Sequence, residues 1–343
     1  MVARRSTSGR PLTAVELERA PEGGAPDNSV APDNDGAVDG GSALDDGRAG
    51  LFGPESEGWV LNREAALLLV AGPRALLMQV AHPLIAEGVD QHSTFRTDPW
   101  RRLTATMTSS LRLLYGDAAT AHAELAHLRR LHASIRGPVR DPGARARHGA
   151  RYSARDPGLG FWVLATLIDS TLAGHEAIVG PVNRERRERF YAEGRRLAAL
   201  LDLPASVVPP DLAAFEAYLD EMLAPDGPVQ VSATAREIGA SILRPPLAPL
   251  AAATPGLDRI PGAGALFGLL PASAYAWLYW PSVSLLPPRI RAGYGLTWSS
   301  RERLVSEWLL TTWRAWRPLL PQSVRWLPQA RAAHRRVGLP SPG

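Results

Sequence analysis

A single histidine, His132, lies on the apolar face of a helix predicted over residues 125–137. At 100° per residue it shares that face with Leu125, Leu128, Leu131 and Ile135. An imidazole in apolar surroundings is costly unless its nitrogens find partners. An axial bond to a haem iron is one such partner, and a hydrogen bond to a backbone carbonyl, as in an ordinary core histidine, is the other. Spacing alone leaves both interpretations open.

Familiar metal and nucleotide motifs are missing from the sequence. His122, His127 and His132 are five residues apart, so consecutive members point about 140° from each other and cannot hold one ion together. The pattern that begins with His175 resembles H-E-x-x-H, but Val179 takes the place of the second histidine. There is also no P-loop, no G-x-S-x-G elbow and no complete dinucleotide-binding glycine motif.

The composition excludes several kinds of chemistry. The 343 residues include no cysteine, which excludes disulfides, thiolate metal sites and cysteine nucleophiles. All 38 basic residues are arginine, so Schiff-base chemistry through a lysine is also excluded. A hydrophobic content of 45% with 21% charged residues is typical of a soluble globular protein.

Positive charge and tryptophan are concentrated toward the C-terminus. Residues 289–343 contain ten arginines and two glutamates, and seven of the ten tryptophans lie beyond residue 270. This combination suits a membrane surface or an anionic partner. The alternative is a solvated arginine rim over a tryptophan-containing core. Arginines 184–189 alternate with glutamates at helical spacing, which indicates a salt-bridged face and no nucleic-acid partner.

Residues 1–50 are predicted to be a disordered N-terminal tail, and residues 51–338 one large helical domain. The tail is rich in Gly, Ala, Pro, Asp and Ser and shows no apolar periodicity. Arg4 and Arg5 resemble the start of a twin-arginine signal, but no apolar segment follows. We therefore expect a cytoplasmic protein that is not secreted. The basic C-terminal region suggests peripheral contact with the membrane as a further possibility.

Beyond Phe52 the chain is predicted to be all-α, because helical periodicity is interrupted only by proline and glycine. Asn62 is expected to cap a helix through residues 65–80, with a kink at Pro73. Pro99 and Gly116 should bound the next helix, and Gly137 should end the one after it. Further helices are expected at about 159–179, 184–202, 211–223, 230–243 and 300–316. The uncharged stretch 260–288 is interrupted by five prolines, so we expect a buried or interfacial segment there in preference to a membrane span.

Eight ordered blocks resemble one known family. They are residues 62–65 (NREA), 72–83 (GPRALLMQVAHP), 88–93 (GVDQHS), 95–99 (FRTDP), 102–106 (RLTAT), 131–137 (LHASIRG), 152–157 (YSARDP) and 162–167 (WVLATL). Together they resemble the MpaB / rubber oxygenase (latex-clearing protein) catalytic-domain family, formerly a domain of unknown function. The resemblance runs from about residue 59 to 250, with a weaker continuation to about 338.

The resemblance implies a haem-b oxygenase with a globin-like helical core. Better-known members of the family use dioxygen to cleave carbon–carbon double bonds in isoprenoid chains. By that resemblance His132 matches the proximal haem ligand, and Arg102 and Thr106 match residues of the distal pocket. The expected partners are dioxygen and a hydrophobic small molecule, isoprenoid- or polyketide-derived.

Two departures and three further polar residues qualify this interpretation. Ala105 stands where the family usually has a basic residue, and Leu164 stands where it commonly has histidine. A non-catalytic haem- or lipid-binding helical protein, or a peripheral membrane protein, is therefore the competing hypothesis. His82 and His92 are further family positions whose role is expected to be structural, and Glu87 is a candidate base near the distal face.

Overall fold

The residues that the structure describes beyond position 46 fold into successive α-helices, so the all-α prediction is confirmed. The computed structural model describes residues 47–93, 95, 99–243 and 280–339, and only the backbone of residues 99–103. These residues all lie in one compact unit. The predicted tail up to residue 46, and the uncharged stretch up to residue 279, lie outside the described residues.

The first ten helices run from residue 57 to 243. They are α1 (Glu57–Asn62), α2 (Ala65–Ala81), α3 (Pro83–His92), α4 (Pro99–Tyr115), α5 (Ala118–Ser134), α6 (Pro142–His148), α7 (Pro157–Ile178), α8 (Arg184–Leu200), α9 (Leu212–Met222) and α10 (Ala233–Leu243). The C-terminal part adds α11 (Pro288–Gly293), α12 (Ser300–Trp316), α13 (Gln322–Arg325) and α14 (Pro328–Arg336). Two short strands, β1 (Arg136–Pro138) and β2 (Arg151–Ser153), flank α6 and pair antiparallel.

Most of the predicted helix boundaries agree with the structure, and two are wrong. Pro99 begins α4, and Gly116 follows its last residue. Asn62 does not cap α2, because it is the last residue of α1, where its side-chain amide donates to the carbonyl of Gly58 over 2.9 Å. The helix α5 ends at Ser134, so Gly137 does not end it and lies instead in β1.

The apolar helices α2 and α7 pack against each other at the centre of the fold. Their approach is close at Gly174 of α7, where an added Cβ would lie 2.8 Å from a methyl group of Leu67 and 3.0 Å from the Cβ of Ala71. The indole N–H of Trp162 donates to the carbonyl of Met78 over 3.2 Å. Helices α3 and α10 pack on α2, so α2 is surrounded on several sides.

A buried arginine ties these central helices together. Arg74 of α2 is 4% exposed, and it donates to the hydroxyl of Ser170 over 2.7 Å and to the carbonyl of Leu285 over 2.8 Å. Its second terminal nitrogen lies 2.7 Å from a carboxylate oxygen of Asp169. A buried guanidinium is tolerated because its donors are satisfied in this way.

Among the described helices, none alone has the length and apolar character needed to cross a bilayer. The pair α2 and α3 passes the same criteria when taken together, with a bend of 101° between the two helices. That bend lies at His82, where the chain turns into the Pro83 that begins α3.

Candidate functional site

The helices α4 and α5 form a hairpin that carries the predicted site residues. The turn is closed by Gly116, where an added Cβ would overlap the carbonyl oxygen of Arg112. Asp117 then caps α5, since its carboxylate accepts a hydrogen bond from the N–H of Thr120 over 2.8 Å. A turn this short makes the two helices antiparallel neighbours.

A buried carboxylate fixes the register between the two helices. Glu124 of α5 is 4% exposed, and it accepts a hydrogen bond from the hydroxyl of Ser109 over 2.6 Å. Counting outward along both helices from this contact places residue 101 level with His132, and Thr106 level with residue 127. Arg102 is thus within about one residue of the level of His132, and Thr106 within about 7.5 Å along the hairpin axis. The hairpin therefore places Arg102 and His132 at its open end, with Thr106 about 7.5 Å further toward the turn.

His132 is exposed, which corrects the prediction that its helical face is buried. Leu125, near the middle of α5, is 1% exposed, whereas Leu131 is 44% exposed and residues 129–134 are all on the surface of the described structure. Helical periodicity identifies which residues share a face, but it does not say how far along the helix that face meets another element. Within the described residues the ring of His132 makes no hydrogen bond, so the alternative of a core histidine held by a carbonyl is also not what the structure has.

The environment of His132 favours the neutral imidazole. Desolvation by the surrounding protein, followed by the charge of nearby His127, lowers the pKa of His132 below its ordinary value. The ring thus combines an accessible surface with a reduced tendency to hold a second proton. Neutral imidazole is the form that binds a metal ion, because one nitrogen keeps its lone pair.

The distal candidates lie on the other helix of the hairpin. Thr106 is half-buried, and its backbone carbonyl accepts a hydrogen bond from the hydroxyl of Ser110 over 3.0 Å. Its own hydroxyl makes no hydrogen bond to the described residues, so it remains available as a donor. The neighbouring Ala105 is exposed. Arg102 lies in α4 by its backbone, and its side chain lies outside the described residues.

A two-stranded hairpin anchors the chain just beyond His132. The N–H of Ala154 donates to the carbonyl of Ile135 over 2.9 Å, and Gly137 pairs with Tyr152 across the strands. A Cβ added to Gly137 would overlap the Oε1 of Gln91 and lie 2.8 Å from the phenolic oxygen of Tyr152, so a larger residue would displace these side chains. Glycine is therefore required at this position because the strand is closely packed there, and not because a helix ends there.

Glu87 is not placed to act as a free base. It is 3% exposed, and one carboxylate oxygen accepts hydrogen bonds from the N–H groups of Arg140 and Asp141 over 2.9 and 2.8 Å. The other oxygen accepts from the side-chain amide of Gln91 over 2.7 Å. Because both oxygens are engaged, Glu87 holds the chain that leads into α6, and the suggestion of a catalytic base is wrong for this arrangement.

His82 and His92 have structural contacts. His82 caps α3, since its Nδ1 accepts a hydrogen bond from the N–H of Leu84 over 3.3 Å. Burial first, and then the nearby His148, lowers the pKa of His82 to about 3. The Nε2 of His92 lies 3.2 Å from the carbonyl oxygen of Arg136. These positions secure α3 and the strand that follows α5.

Comparison with known proteins identifies the family. Residues 59–320 match the family described as ER-bound oxygenase mpaB/B'/Rubber oxygenase, catalytic domain. The chain belongs to this oxygenase family. It is similar to uncharacterized proteins of Mycobacterium bovis and Mycobacterium tuberculosis, each 28% identical over 278 residues that cover 76% of this chain and 96% of the relative. No solved structure matches, so the globin-like arrangement implied by the resemblance remains a prediction.

The second departure from the family pattern lies in the core of this oxygenase-family chain. Leu164 of α7 is 4% exposed and packs in an apolar cluster with Leu61 and Phe161. The structure thus uses this position for apolar packing. Among the described residues no group of three histidine, aspartate or glutamate side chains could hold a metal ion.

Proposed function

We propose that this chain is a haem-b-dependent oxygenase that acts with dioxygen on a hydrophobic, isoprenoid- or polyketide-derived substrate, and that it cleaves a carbon–carbon double bond. Membership of an oxygenase family gives the general activity. The finer proposal is supported by His132, which is exposed and makes no side-chain hydrogen bond to the described residues. It lies level with residue 101 of α4, the helix that carries Arg102 and Thr106.

The donor set fits a haem. A porphyrin provides four nitrogen ligands to its own iron, so the protein has to supply only an axial ligand. A single neutral imidazole such as that of His132 meets this need, because its lowered pKa keeps one nitrogen unprotonated. When bound, the haem would supply the oxidative chemistry with dioxygen, and the protein would supply ligation, polarity and access.

The other two residues have a role that their chemistry defines. The hydroxyl of Thr106 and the guanidinium of Arg102 are hydrogen-bond donors, and each can stabilise negative charge that develops on oxygen during the reaction. Donors of this kind are most effective when they are fixed before the reaction and shielded from water. Thr106 is half-buried, and its hydroxyl is not committed to another described residue.

Absorption spectroscopy and oxygen uptake test the proposal on the purified protein. We expect a Soret band that shifts on reduction with dithionite, and oxygen consumption when a polyisoprenoid is added. Haem without oxygen consumption on isoprenoid or polyketide-type substrates would favour the competing hypothesis of a non-catalytic binding protein, for which exposed Ala105 is the supporting observation. Absence of haem after reconstitution would contradict the proposal.

The distal assignment has its own test in variants of α4. We expect Thr106→Ala and Arg102→Ala to retain haem but to lower turnover, since losing one fixed donor costs on the order of 3 kcal/mol of transition-state stabilisation. Thr108→Ala removes a hydroxyl from an exposed position of the same helix and should leave turnover unchanged. Equal rates of oxygen uptake in all three variants and the parent protein would contradict the distal assignment.

A further inference from the structure

Three arginines surround one buried glutamate near the start of α2. Glu64 is 1% exposed, and its Oε1 lies 2.8 Å from the Nη2 of Arg317 and 3.5 Å from the Nη1 of Arg325. The guanidinium of Arg63 stacks on the ring of Trp326 with 4.5 Å to the ring centroid. We call Arg63, Glu64, Arg317 and Arg325 the Glu64 cluster.

The Glu64 cluster contains more positive charge than its described neighbours compensate. The side chains of Arg317 and Arg325 are 19% and 12% exposed, and both form their salt bridge with the same oxygen of Glu64. Arginine does not lose its proton in a protein, so burial cannot remove the excess charge. The pKa of Arg63 is lowered by burial first, and the charges of Arg317 and Arg325 lower it further. Two cations therefore share one oxygen of a single carboxylate, and the charge of a third, Arg63, acts on them in a region with limited access to water.

Unsatisfied donors accompany this excess charge. The Nε atoms of Arg317 and Arg325 are buried without a hydrogen-bond partner among the described residues. The second oxygen of Glu64 is also buried and unpaired there. Buried N–H groups of charged side chains ordinarily find acceptors, because leaving them unpaired is costly. Two of these three atoms are arginine N–H donors, so the missing complement of the arginines is an acceptor with negative charge.

At a second buried glutamate, carboxylates of the chain itself neutralise the charge of the neighbouring arginines. Glu57 is 7% exposed, and both of its oxygens accept hydrogen bonds from Arg186 or Arg189. Arg189 also forms a salt bridge with Glu185 over 2.6 Å, so the positive charge there has a second carboxylate. The Glu64 cluster has no equivalent within the described part of the chain.

We propose that Arg63, Arg317 and Arg325 form a binding site for a phosphate-class oxyanion, either a soluble phosphate or the phosphate of a lipid headgroup. A tetrahedral oxyanion offers several acceptors and up to two negative charges, which matches donors that approach from different elements. Exposed apolar side chains adjoin the arginines in sequence, with Trp316 61%, Leu319 73% and Val324 64% exposed. This neighbourhood suits a headgroup with attached acyl chains as well as a free anion.

This site is separate from the proposed haem site. Trp326 contacts His334, His334 contacts Trp59, and the hydroxyl of Tyr115 donates to the carbonyl of Trp59 over 3.0 Å. Tyr115 is the last residue of α4, whereas His132 is level with residue 101 near the other end of that helix. These contacts link the Glu64 cluster to the Tyr115 end of α4, which is about 21 Å along that helix from the level of His132, so each site can be tested without the other.

Denaturant unfolding with inorganic phosphate tests the site, with sodium chloride at equal ionic strength as the reference. A ligand that binds the folded state at about ten times its dissociation constant lowers the unfolding constant about tenfold. We expect this saturable effect in the parent protein and in Arg335→Gln, which removes an exposed charge from α14, but not in Arg325→Gln or Arg63→Gln. In Arg325→Gln the shorter salt bridge between Glu64 and Arg317 is retained, so the variant is expected to fold.

Two further measurements keep the outcome decisive. Phosphorus NMR of inorganic phosphate with the unmodified protein should show saturable line broadening, whether or not a variant folds. Co-sedimentation with phosphatidylcholine vesicles, with and without phosphatidic acid, identifies the source: loss of vesicle binding in Arg325→Gln indicates a headgroup, and stabilisation without vesicle binding indicates a soluble phosphate. Equal stabilisation of all variants by phosphate, or no line broadening together with no difference between vesicles, would overturn the proposal.

Discussion

The histidines of this chain have different roles, and the surroundings of each ring decide which role it has. His175 is buried, and its Nδ1 lies 3.1 Å from the carbonyl of Leu61, so its ring is committed to holding the core. His82 is buried and caps a helix. His127 and His132 are exposed on the same helix, and among the described residues their rings make no hydrogen bond. The sequence identifies His132 as a candidate ligand through its family block, but only the structure shows that this residue lies on the surface of the described part of the chain.

Buried His82, next to half-buried His148, predicts a pH dependence of stability. Their ring centroids are 5.1 Å apart, and the pKa of His82 falls from 6.5 to about 3 because burial, and then the charge of His148, disfavours its protonated form. The folded state therefore binds fewer protons than the unfolded state between these values. The contribution of neutral His82 to the free energy of unfolding is fully present above pH 6.5. It decreases as the pH falls toward 3, by at most about 1.4 kcal/mol per pH unit.

A variant that keeps the cap but does not titrate isolates this effect. In His82→Asn the side-chain oxygen can still accept the N–H of Leu84, because asparagine is a good N-cap residue. We expect the free energy of unfolding, measured by denaturant titration between pH 4 and 7, to fall less steeply in His82→Asn than in the parent protein. His122→Asn, at an exposed position, should not change the slope, and identical slopes for all three proteins would contradict the burial argument.

At the level of the elements, signals that act within one helix were predictable and those that depend on a distant contact were not. Pro99 and Gly116 bound α4 because fixed φ and the absence of a Cβ act locally. Asn62 and Gly137 carry the same kinds of signal, but Asn62 completes α1 and Gly137 packs against Tyr152. The Glu64 cluster could likewise not be predicted from the sequence, since Arg317 lies 253 positions from its carboxylate partner.

The tight packing at Gly137 predicts a substitution effect of definite sign. Gly137→Ala places a methyl group where it overlaps the Oε1 of Gln91 and lies 2.8 Å from the phenolic oxygen of Tyr152, so we expect a loss of about 1–3 kcal/mol in the free energy of unfolding. Gly72→Ala is the matched control, because a Cβ built at this position inside α2 meets nothing within 4 Å. That control should stabilise the protein by about 0.5–1 kcal/mol through helix propensity. Denaturant titrations in which both substitutions have the same sign would refute the packing argument.

At the level of the whole molecule, the basic C-terminal region is largely structural. Arg289, Arg314 and Arg336 donate to the carbonyls of Leu223, Ala177 and Tyr115 over 3.2, 2.7 and 2.8 Å, each at or near the end of a helix. Cationic donors at these positions satisfy carbonyls that a helix leaves free. The number of arginines in this region therefore does not equal the number of positive charges that are free to bind a membrane. The membrane contact expected from composition remains a prediction.

The N-terminal boundary of the folded part can be located by two nested truncations. The carbonyl of Gly47 accepts the N–H of Ala118 over 2.9 Å, and the carbonyl of Arg48 accepts a hydrogen bond from Arg336 over 2.8 Å. Removing residues 1–46, which form most of the tail of residues 1–50 that composition predicts to be disordered, should leave the free energy of unfolding unchanged. Removing residues 1–50 should lower it by about 2 kcal/mol, since both acceptors are lost. Equal stability of the two truncated proteins would show that these contacts do not contribute.

Whether His132 binds the haem iron is tested most directly by the haem content of two matched histidine variants. His127→Ala and His132→Ala each remove an exposed ring from α5, and within the described residues neither ring makes a hydrogen bond whose loss would destabilise the fold. Haem stoichiometry and the Soret band, measured with far-UV circular dichroism as the folding control, should be unchanged in His127→Ala and lost in His132→Ala, with helicity retained in both. A His132→Ala protein that keeps the full Soret band of the parent, or a parent protein that binds no haem after reconstitution, would contradict the account.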